Sequence, residues 1–296
     1  LYSFIKNYVW IKCLGKGAFA YAHLLKNSTG KMTVLKLQSS YSANTDELDE
    51  VLKEVNILQS LDHSNIVKMN KYGISSNKVW IELEFANMGT LDNLIRFYSD
   101  LNINLRLHCI INCWYDIVNG LVYLHSLGII HRDIKLENIF IFTNNLENII
   151  FKLGDFNLSR VLSNNSNYAT SYCGTVSTMA PEIFGNEPYS KKVDIWSFLC
   201  VGLSTILLRS LNPLSITTEE LNDRLSKFNP EMIKILLSLH KLDPNERPDS
   251  DSLFLKILQL KIKLSNDIEN STRIFSEYLS SKLVSMNSNS AICKSP

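Results

Sequence analysis

One short stretch of the sequence concentrates residues that could do chemistry. The run IIHRDIKLEN, Ile129 to Asn138, places Asp133 and Asn138 in an irregular segment directly after an amphipathic one. Downstream, KLGDFN places Asp155 in a turn after a strand-like run. Two carboxylates and an amide on neighbouring loops can bind a hard cation such as Mg²⁺ and accept a proton from an attacking hydroxyl. Phosphoryl transfer needs such groups, because positioning and charge neutralisation dominate its catalysis.

Each of these polar residues also has a purely structural explanation. Asp and Asn are common in turns and at helix caps, where their side chains bond to the backbone. That explanation accounts for any one of Asp133, Asn138 and Asp155, but not easily for all three in this order. The chemical interpretation is therefore favoured.

Two features near the start of the chain could bind phosphate. LGKGAFA lies between strand-like runs, so Gly15 and Gly17 could form a hairpin whose N–H groups approach a phosphate closely. Taken alone, this loop is better explained as an ordinary glycine turn. Lys36 lies among apolar strand residues and needs an acidic partner or a ligand phosphate. Glu54, on the helix that follows, can supply the partner, although a solvated helix face would also explain it.

Hydrophobic periodicity divides the chain into a strand-rich part and a helical part. From Tyr8 to Phe85, short β-branched and aromatic runs alternate with turns, interrupted by one helical pattern, Leu48 to Leu61. Further helical patterns follow at Leu91–Tyr98, Leu105–Leu127, Val193–Leu208, Pro230–His240 and Ser252–Leu264. We therefore expect an α+β fold: a β-rich unit over 1–86, a mainly helical unit over 87–260, and a C-terminal helix with a disordered tail over 261–296.

Composition and charge exclude several kinds of protein. The 296 residues are 45% hydrophobic and carry a net charge of +1, which gives no electrostatic footprint for nucleic acid or an anionic membrane. The longest apolar run, Phe198 to Leu208, is too short to span a bilayer, and the first residues lack a signal-peptide pattern. We expect an intracellular protein or a fragment of one, cytoplasmic with a nuclear location left open.

The cysteines predict buried thiols. Cys109 and Cys113 have the i,i+4 spacing that puts both on one helix face, and the other cysteines lie far apart. A metal pair is the weaker interpretation, because no matching His or Cys doublet exists elsewhere.

The order of the motifs resembles the eukaryotic protein kinases of the serine/threonine type, from about Leu14 to Phe254. The matching segments are the glycine loop, the strand lysine, the helix glutamate, HRDIKLEN, DFN, MAPE, VDIWSF and DPNERP. The resemblance implies a two-lobed protein-kinase-like fold and transfer of the γ-phosphate of Mg-ATP to protein Ser/Thr hydroxyls. A pseudokinase that acts as a nucleotide-binding scaffold is the alternative. A small-molecule kinase of the same fold is disfavoured by the CGT and APE segments. The segments ENIFI and DPNERP also resemble those of NIMA-related and calcium/calmodulin-type kinases, but they do not place the subfamily.

The resemblance assigns roles in the polar loops. Asp133 is implied as the catalytic base, and Lys135 as the residue that steadies the transferred phosphate. Asn138 and Asp155 are implied as Mg²⁺ ligands.

The resemblance also assigns the nucleotide site. Lys36 would bind the α- and β-phosphates and pair with Glu54. Leu83 would be the gatekeeper, and the backbone of Glu84 and Ala86 would contact the adenine edge. The implied ATP-binding residues are Gly15, Lys16, Gly17, Ala22, Val34, Lys36, Leu83, Glu84 and Ala86.

Two structural features are implied as well. A hydrophobic spine anchored at Asp194 would stack Leu58, Met69, His131 and Phe156. Glu182 would form a buried pair with Arg247, and removal of one partner of such a pair is costly.

Several positions depart from the family pattern. Ala20 replaces the third loop glycine, Asn157 the glycine of DFG, and Leu199 a helix glycine; Val176 and Thr178 alter the substrate-docking segment. Asn tolerates positive φ better than other non-glycine residues, so the DFN turn is expected to form, although it would flip outward less easily. Kinases usually have Val at the position of Ala22 and Ala at the position of Val34, so the smaller and larger side chains are exchanged here. The exchange is expected to keep the volume of the adenine pocket. ATP affinities of Ala22→Val, Val34→Ala and the double variant would measure this.

Partners follow from the same resemblance. We expect a protein substrate with a Ser/Thr hydroxyl and an activating phosphate on Ser171 or Thr170, from an upstream kinase or by autophosphorylation, that would pair with Arg132. Glu137 matches an acid that holds an upstream arginine of the substrate, but Ser204 replaces its usual companion acid, so at most a weak basic preference is expected.

Overall fold

The architecture is built from a small sheet above a helical body. The computed structural model describes residues 6–16, 20–38, 45–75, 78–100, 107–145, 148–162, 169, 173–185, 188–209 and 211–264. The predicted C-terminal tail lies outside these residues beyond Leu264.

The first part of the chain forms a five-stranded antiparallel sheet with strand order β1-β2-β3-β5-β4. Its strands are β1 Tyr8–Lys16, β2 Ala20–Asn27, β3 Met32–Gln38, β4 Met69–Ser75 and β5 Lys78–Glu84, and helix α1, Thr45–Ser60, connects β3 to β4. In the register, Lys36 on β3 lies between Ala22 and Ile81. The central strand of the sheet therefore carries this lysine.

The second part is mainly helical. Its helices are α2 Leu91–Asp100, α3 Leu107–Ser126, α4 Pro181–Phe184, α5 Lys192–Leu207, α6 Thr218–Leu225, α7 Pro230–Leu239 and α8 Ser250–Leu264. Helix α5 is buried from Val193 to Ile206, including its polar residues. A helix without a polar face belongs in a core, and the others pack around it.

Short strands position the polar loops. They are β6 Ile129–Ile130, β7 Ile139–Asn145, β8 Asn148–Leu153 and β9 Arg160–Val161, with β6 paired to β9 and β7 to β8. The segment IIHRDIKLEN thus begins with β6 and ends directly before β7, the first strand of the β7–β8 hairpin. Asp155 follows the end of β8 by two residues. Both polar loops are therefore positioned by these short strands.

Backbone hydrogen bonds join the two parts behind the sheet. The Leu153 amide of β8 donates to Asn65 O at 2.9 Å, and the Val67 amide donates to Leu153 O at 2.8 Å. The Asn65 side chain also donates to Phe151 O at 3.1 Å. The loop between α1 and β4 is therefore attached to β8, a strand of the second part of the chain.

The fold confirms the predicted two-lobed α+β class, and most predicted helices agree with the structure to within two residues. Helix α6 was not predicted from its apolar spacing, although Thr217 and Glu220 form a capping box at its start. No described helix is long and apolar enough to cross a membrane.

The prediction of buried thiols is confirmed for Cys113 and Cys200, but it is wrong for Cys13, which is exposed on β1. Cys113 and Cys200 are buried and Cys109 is half-buried, and all three are free thiols. Burial raises the pKa of Cys109 to about 12, so its thiol stays protonated. Within the described ranges no group of three or more His, Cys, Asp or Glu side chains could hold a metal ion.

Candidate active site

The segment that follows β6 is anchored by a buried carboxylate. The backbone N–H groups of His131 and Arg132 each donate to Asp194 at 2.9 Å, and His125 Nε2 lies 2.9 Å from the same side chain. Burial alone would raise the pKa of Asp194, but the hydrogen bond and charge of His125 outweigh it, so the pKa is lowered. Asp194 therefore remains ionised at the start of α5 and fixes the loop, with Arg132 at φ 67°.

Asp133 is held by donors on both carboxylate oxygens. Its Oδ1 accepts from Thr175 Oγ1 at 2.7 Å. Its Oδ2 accepts from Lys135 Nζ at 2.7 Å and from Asn138 Nδ2 at 2.8 Å. Lys135 also donates to Thr175 at 2.8 Å. The structure thus brings together three of the predicted residues and adds Thr175, whose CGT motif was the available sequence signal.

Lys36 lies at the centre of an ion-pair network. Its Nζ lies 2.7 Å from Glu54 Oε1 and 2.9 Å from Asp155 Oδ1. Burial opposes the charge on Lys36, but Glu54 and Asp155 outweigh it and raise its pKa. Burial likewise opposes ionisation of Asp155, and Lys36 lowers its pKa overall. Glu54, the predicted partner of Lys36, meets it, and Asp155, which the structure adds as a second partner, stays charged near neutral pH.

Glu54 has a further partner that the sequence did not reveal. Gln38 Nε2 donates to Glu54 Oε2 at 2.9 Å, and both side chains are buried. Each Glu54 oxygen therefore has a donor, which offsets the cost of burying the carboxylate.

The DFN turn directs Asp155 and Phe156 in opposite directions. Phe156 is buried, and its ring centroid lies 4.9 Å from that of His131. Leu58 belongs to the same core cluster and Met69 packs against it, so the four residues of the implied spine are contiguous with one core. The positive φ of the turn is at Asp155 (63°) and not at Asn157, which corrects the expectation that Asn157 would adopt it.

The oxygens expected to bind Mg²⁺ are available. Among the described residues, Asn138 Oδ1 and Asp155 Oδ2 accept no hydrogen bond, while their other polar atoms are fixed by Asp133, Lys36 and Asn157. The two loops are joined because the Gly154 amide donates to Asn138 O at 3.0 Å. An amide oxygen and a carboxylate oxygen are hard ligands, so the residues present fit this cation.

The end of β5 and the segment after it carry the residues expected to contact the adenine edge. Thr33 Oγ1 donates to Leu83 O at 2.7 Å. The Ala86 amide has no acceptor among the described residues, so it could donate to a ligand. The Glu84 side chain faces away into the body, where it accepts from Lys152 Nζ at 2.7 Å and from the Lys68 amide at 2.8 Å.

The glycine loop is described only in part. Gly17 lies outside the described residues, whereas Gly15 and Lys16 end β1. The Lys16 ammonium is exposed and lies 5.4 Å from the centroid of the Tyr21 ring, so the structure does not direct it at the lysine network. Ala22 and Val34 are half-buried on β2 and β3.

The segments expected to choose the substrate are partly described. Thr170 and Ser171 lie outside the described residues; Arg132 donates to Leu158 O and, at 3.0 Å, to Tyr189 Oη. Ser204 is buried and donates to Cys200 O at 2.8 Å, while Glu137 is exposed.

The Glu182 and Arg247 pair forms as expected. The two Arg247 nitrogens donate to the two Glu182 oxygens at 2.8 and 2.9 Å, and the Arg247 side chain is fully buried. This bidentate geometry attaches α4 to the segment before α8.

Comparison with known proteins gives one family and a consistent set of relatives. The sequence model of the protein kinase domain matches residues 8–259. The chain is 31% identical over 257 residues to a probable serine/threonine-protein kinase nek3 of Dictyostelium discoideum, covering 83% of this chain and 23% of that protein. It is 31% identical to the serine/threonine-protein kinase Nek5 of Homo sapiens (83% and 36% covered) and 28% identical to Nek8 of Danio rerio (90% and 39%). The chain therefore spans well under half the length of these relatives.

Proposed function

The chain belongs to the protein kinase domain family, and from this premise we propose that it transfers the γ-phosphate of Mg-ATP to Ser and Thr hydroxyls of proteins. The observation that supports the proposal best is the joint geometry of Asp133, Lys36 and Asp155. Asp133 is fixed by Thr175 and Lys135, and the lysine network is complete. Charged groups held in place before substrate arrives are what phosphoryl transfer requires.

Each side chain has a task in this reaction. Asp133 would accept the proton of the substrate hydroxyl, and Lys135, beside it, would carry positive charge toward the transferred phosphate. Lys36 would bind phosphate oxygens of the nucleotide. Asn138 and Asp155 would hold Mg²⁺, which when bound neutralises phosphate charge.

The alternative is a pseudokinase that binds nucleotide as a scaffold. It predicts lost or displaced groups in the cleft. Here Lys36 meets Glu54 and Asp155, and Asp133 meets Lys135 and Asn138, all within 2.7–2.9 Å. This arrangement supports the enzyme over the scaffold.

A phosphotransfer assay tests the proposal. The protein is incubated with radiolabelled Mg-ATP and casein or myelin basic protein, with Asp133→Asn as the matched control. We expect label on Ser and Thr of the substrate with the wild type alone. Nucleotide binding without any transfer, under conditions in which a known kinase labels the same substrates, would favour the scaffold.

The substrate preference follows from Glu137 and Ser204. Glu137 is exposed beside the catalytic loop, while buried Ser204 bonds to its own helix and adds no negative charge. One acid without a companion gives only weak attraction for a basic residue. A peptide library should therefore show at most a slight preference for upstream arginine, and a profile dominated by it would contradict this assignment.

A further inference from the structure

Asn157 extends its side chain back into the ion-pair network of the cleft. Its Oδ1 accepts from Lys36 Nζ at 3.0 Å, and its Nδ2 donates to Asp155 Oδ1 at 2.7 Å. Lys36 also donates to that same Asp155 oxygen at 2.9 Å. The three side chains therefore form a closed triangle of hydrogen bonds, and a glycine at 157 would remove two of its three sides and leave only the bond from Lys36 to Asp155.

The triangle fixes which way the Asp155 carboxylate points. Two donors, one ammonium and one amide, converge on Oδ1, whereas Oδ2 accepts nothing from the described residues. Hydrogen bonds to an ionised oxygen are stronger than those between neutral groups. The carboxylate is thus held with Oδ1 toward Lys36 and Oδ2 exposed for a cation.

The backbone of Asp155 has an unfavourable conformation. Asp155 adopts φ 63°, a conformation that costs a non-glycine residue free energy and persists only where the surroundings impose it. Burial of Phe156 imposes it from one side. The Asn157 carboxamide also favours this conformation, because it donates a hydrogen bond to the Asp155 carboxylate.

We propose that Asn157 is a positioning residue that latches Asp155 in its inward orientation, in support of the phosphotransfer function proposed above. The latch acts through Asp155 and needs no contact between Asn157 and the nucleotide. Asn157 gives Asp155 Oδ1 a second hydrogen-bond donor beside Lys36. Asn157→Ala removes the carboxamide without adding the backbone freedom of glycine, since Asn157 does not use positive φ.

Hydrogen–deuterium exchange of the protein without nucleotide tests the latch directly. The reporter is the peptide over 151–162, which contains the turn bond from the Ser159 amide to Phe156 O at 3.0 Å. Loss of a hydrogen bond to a charged group should speed local opening, and hence exchange, about 5- to 10-fold in Asn157→Ala. Asn157→Asp keeps the shape and an acceptor for Lys36, but replaces the donor by a like charge. Its exchange should be at least as fast as that of Asn157→Ala.

A second measurement asks whether the latch serves the cation. ADP binding is measured by calorimetry with Mg²⁺ and with EDTA. In Asn157→Ala the gain in ADP affinity caused by Mg²⁺ should fall about 3- to 10-fold, because Asp155 is less often in place, while ADP affinity in EDTA is unchanged or higher. A residue with only a general structural role would lower both affinities together.

The outcomes separate the latch from the proposed function. Wild-type exchange in both Asn157→Ala and Asn157→Asp would overturn the latch. The latch would also be overturned if Asn157→Ala bound ADP more tightly than the wild type by the same factor with Mg²⁺ and with EDTA. That result would mean that Asn157 merely competes with phosphate for Lys36. If the wild type transfers no phosphate but both readouts change as expected, the latch stands and the proposed function fails.

Discussion

At the scale of single residues, Asp133 and Asp155 should fail in different ways when they lose their charge. Asp133→Asn should lower phosphate transfer by about 100- to 10,000-fold while Mg-ATP affinity stays near wild type, because the role we propose for Asp133 is to accept the proton of the substrate hydroxyl. Asp155→Asn should lose Mg-ATP affinity as well, because Lys36 loses one of its two carboxylate partners and the proposed Mg²⁺ site loses a charged ligand. Calorimetric ADP and ATP binding beside steady-state rates distinguishes the two, and equal losses of nucleotide affinity would contradict these roles.

Residue-scale geometry is also where the sequence was least informative. Lys36, Glu54, Asp133, Asn138 and Asp155 could be selected as candidates because the motifs that contain them have a fixed order. The contacts of Gln38, Thr175 and Asn157 could not, because each depends on where a distant segment lies in space. Positive φ at Asp155 was missed for the same reason: burial of Phe156 and the lysine network decide the turn, and the preference of Asn for positive φ does not.

At the scale of elements, helix α5 has little room for an added side chain at Gly202. A Cβ there would lie 2.7 Å from Leu236 Cδ2 on α7 and 3.4 Å from Trp114 on α3. Gly202→Ala should lower the free energy of unfolding by about 1–2 kcal/mol, since overpacking outweighs the helix propensity of alanine. Urea denaturation measures this. A gain of about 1 kcal/mol, the propensity alone, would show that Leu236 moves aside freely.

Helix α3 carries a carboxylate that should make stability depend on pH. Burial raises the pKa of Asp116 to about 6, although its carboxylate accepts from the Phe151 amide at 2.9 Å. Because the folded state binds this proton more tightly than the unfolded chain does, the free energy of unfolding should fall from about pH 4 to about pH 6 and then level off, as far as this group contributes. Asn at 116 can still accept from Phe151 but cannot titrate.

The test compares Asp116→Asn with the wild type in urea at about pH 4.5 and about pH 7. The variant should gain stability relative to the wild type as pH rises, with exposed Asp251→Asn on α8 as the control. The opposite trend would mean that Lys261, whose charge lowers the pKa of Asp116, outweighs burial.

The segment after the DFN turn should be the element that switches activity. A phosphate on Ser171 or Thr170 could bond to the Arg132 guanidinium, which already lies beside Leu158 and Tyr189. We expect mass spectrometry of active protein to find phosphate on one of them, and the matching alanine variant to lose at least about 10-fold in activity. Full activity with no phosphate anywhere in this segment would disprove the idea.

At the scale of the whole molecule, the division into a sheet and a helical body was predictable, because hydrophobic spacing changes once along the chain. Helix α6 was missed since it is short and mostly polar, and its capping box was the better signal. The attachment of the α1–β4 loop to β8 could not have been predicted. It consists of backbone hydrogen bonds and one bond from the Asn65 side chain to a backbone carbonyl, and hydrophobic spacing along the sequence indicates neither.

That attachment has a mechanical consequence. Since Asn65 and Val67 are bonded to Leu153, the end of α1 near Leu61 has a fixed point in the helical body, whereas its start at Thr45 has none among these bonds. We therefore expect a rotation of the sheet against the helical body to displace the start of α1 more than its end. Glu54 lies partway along α1, so we expect such a rotation to change its distance from Lys36 on β3.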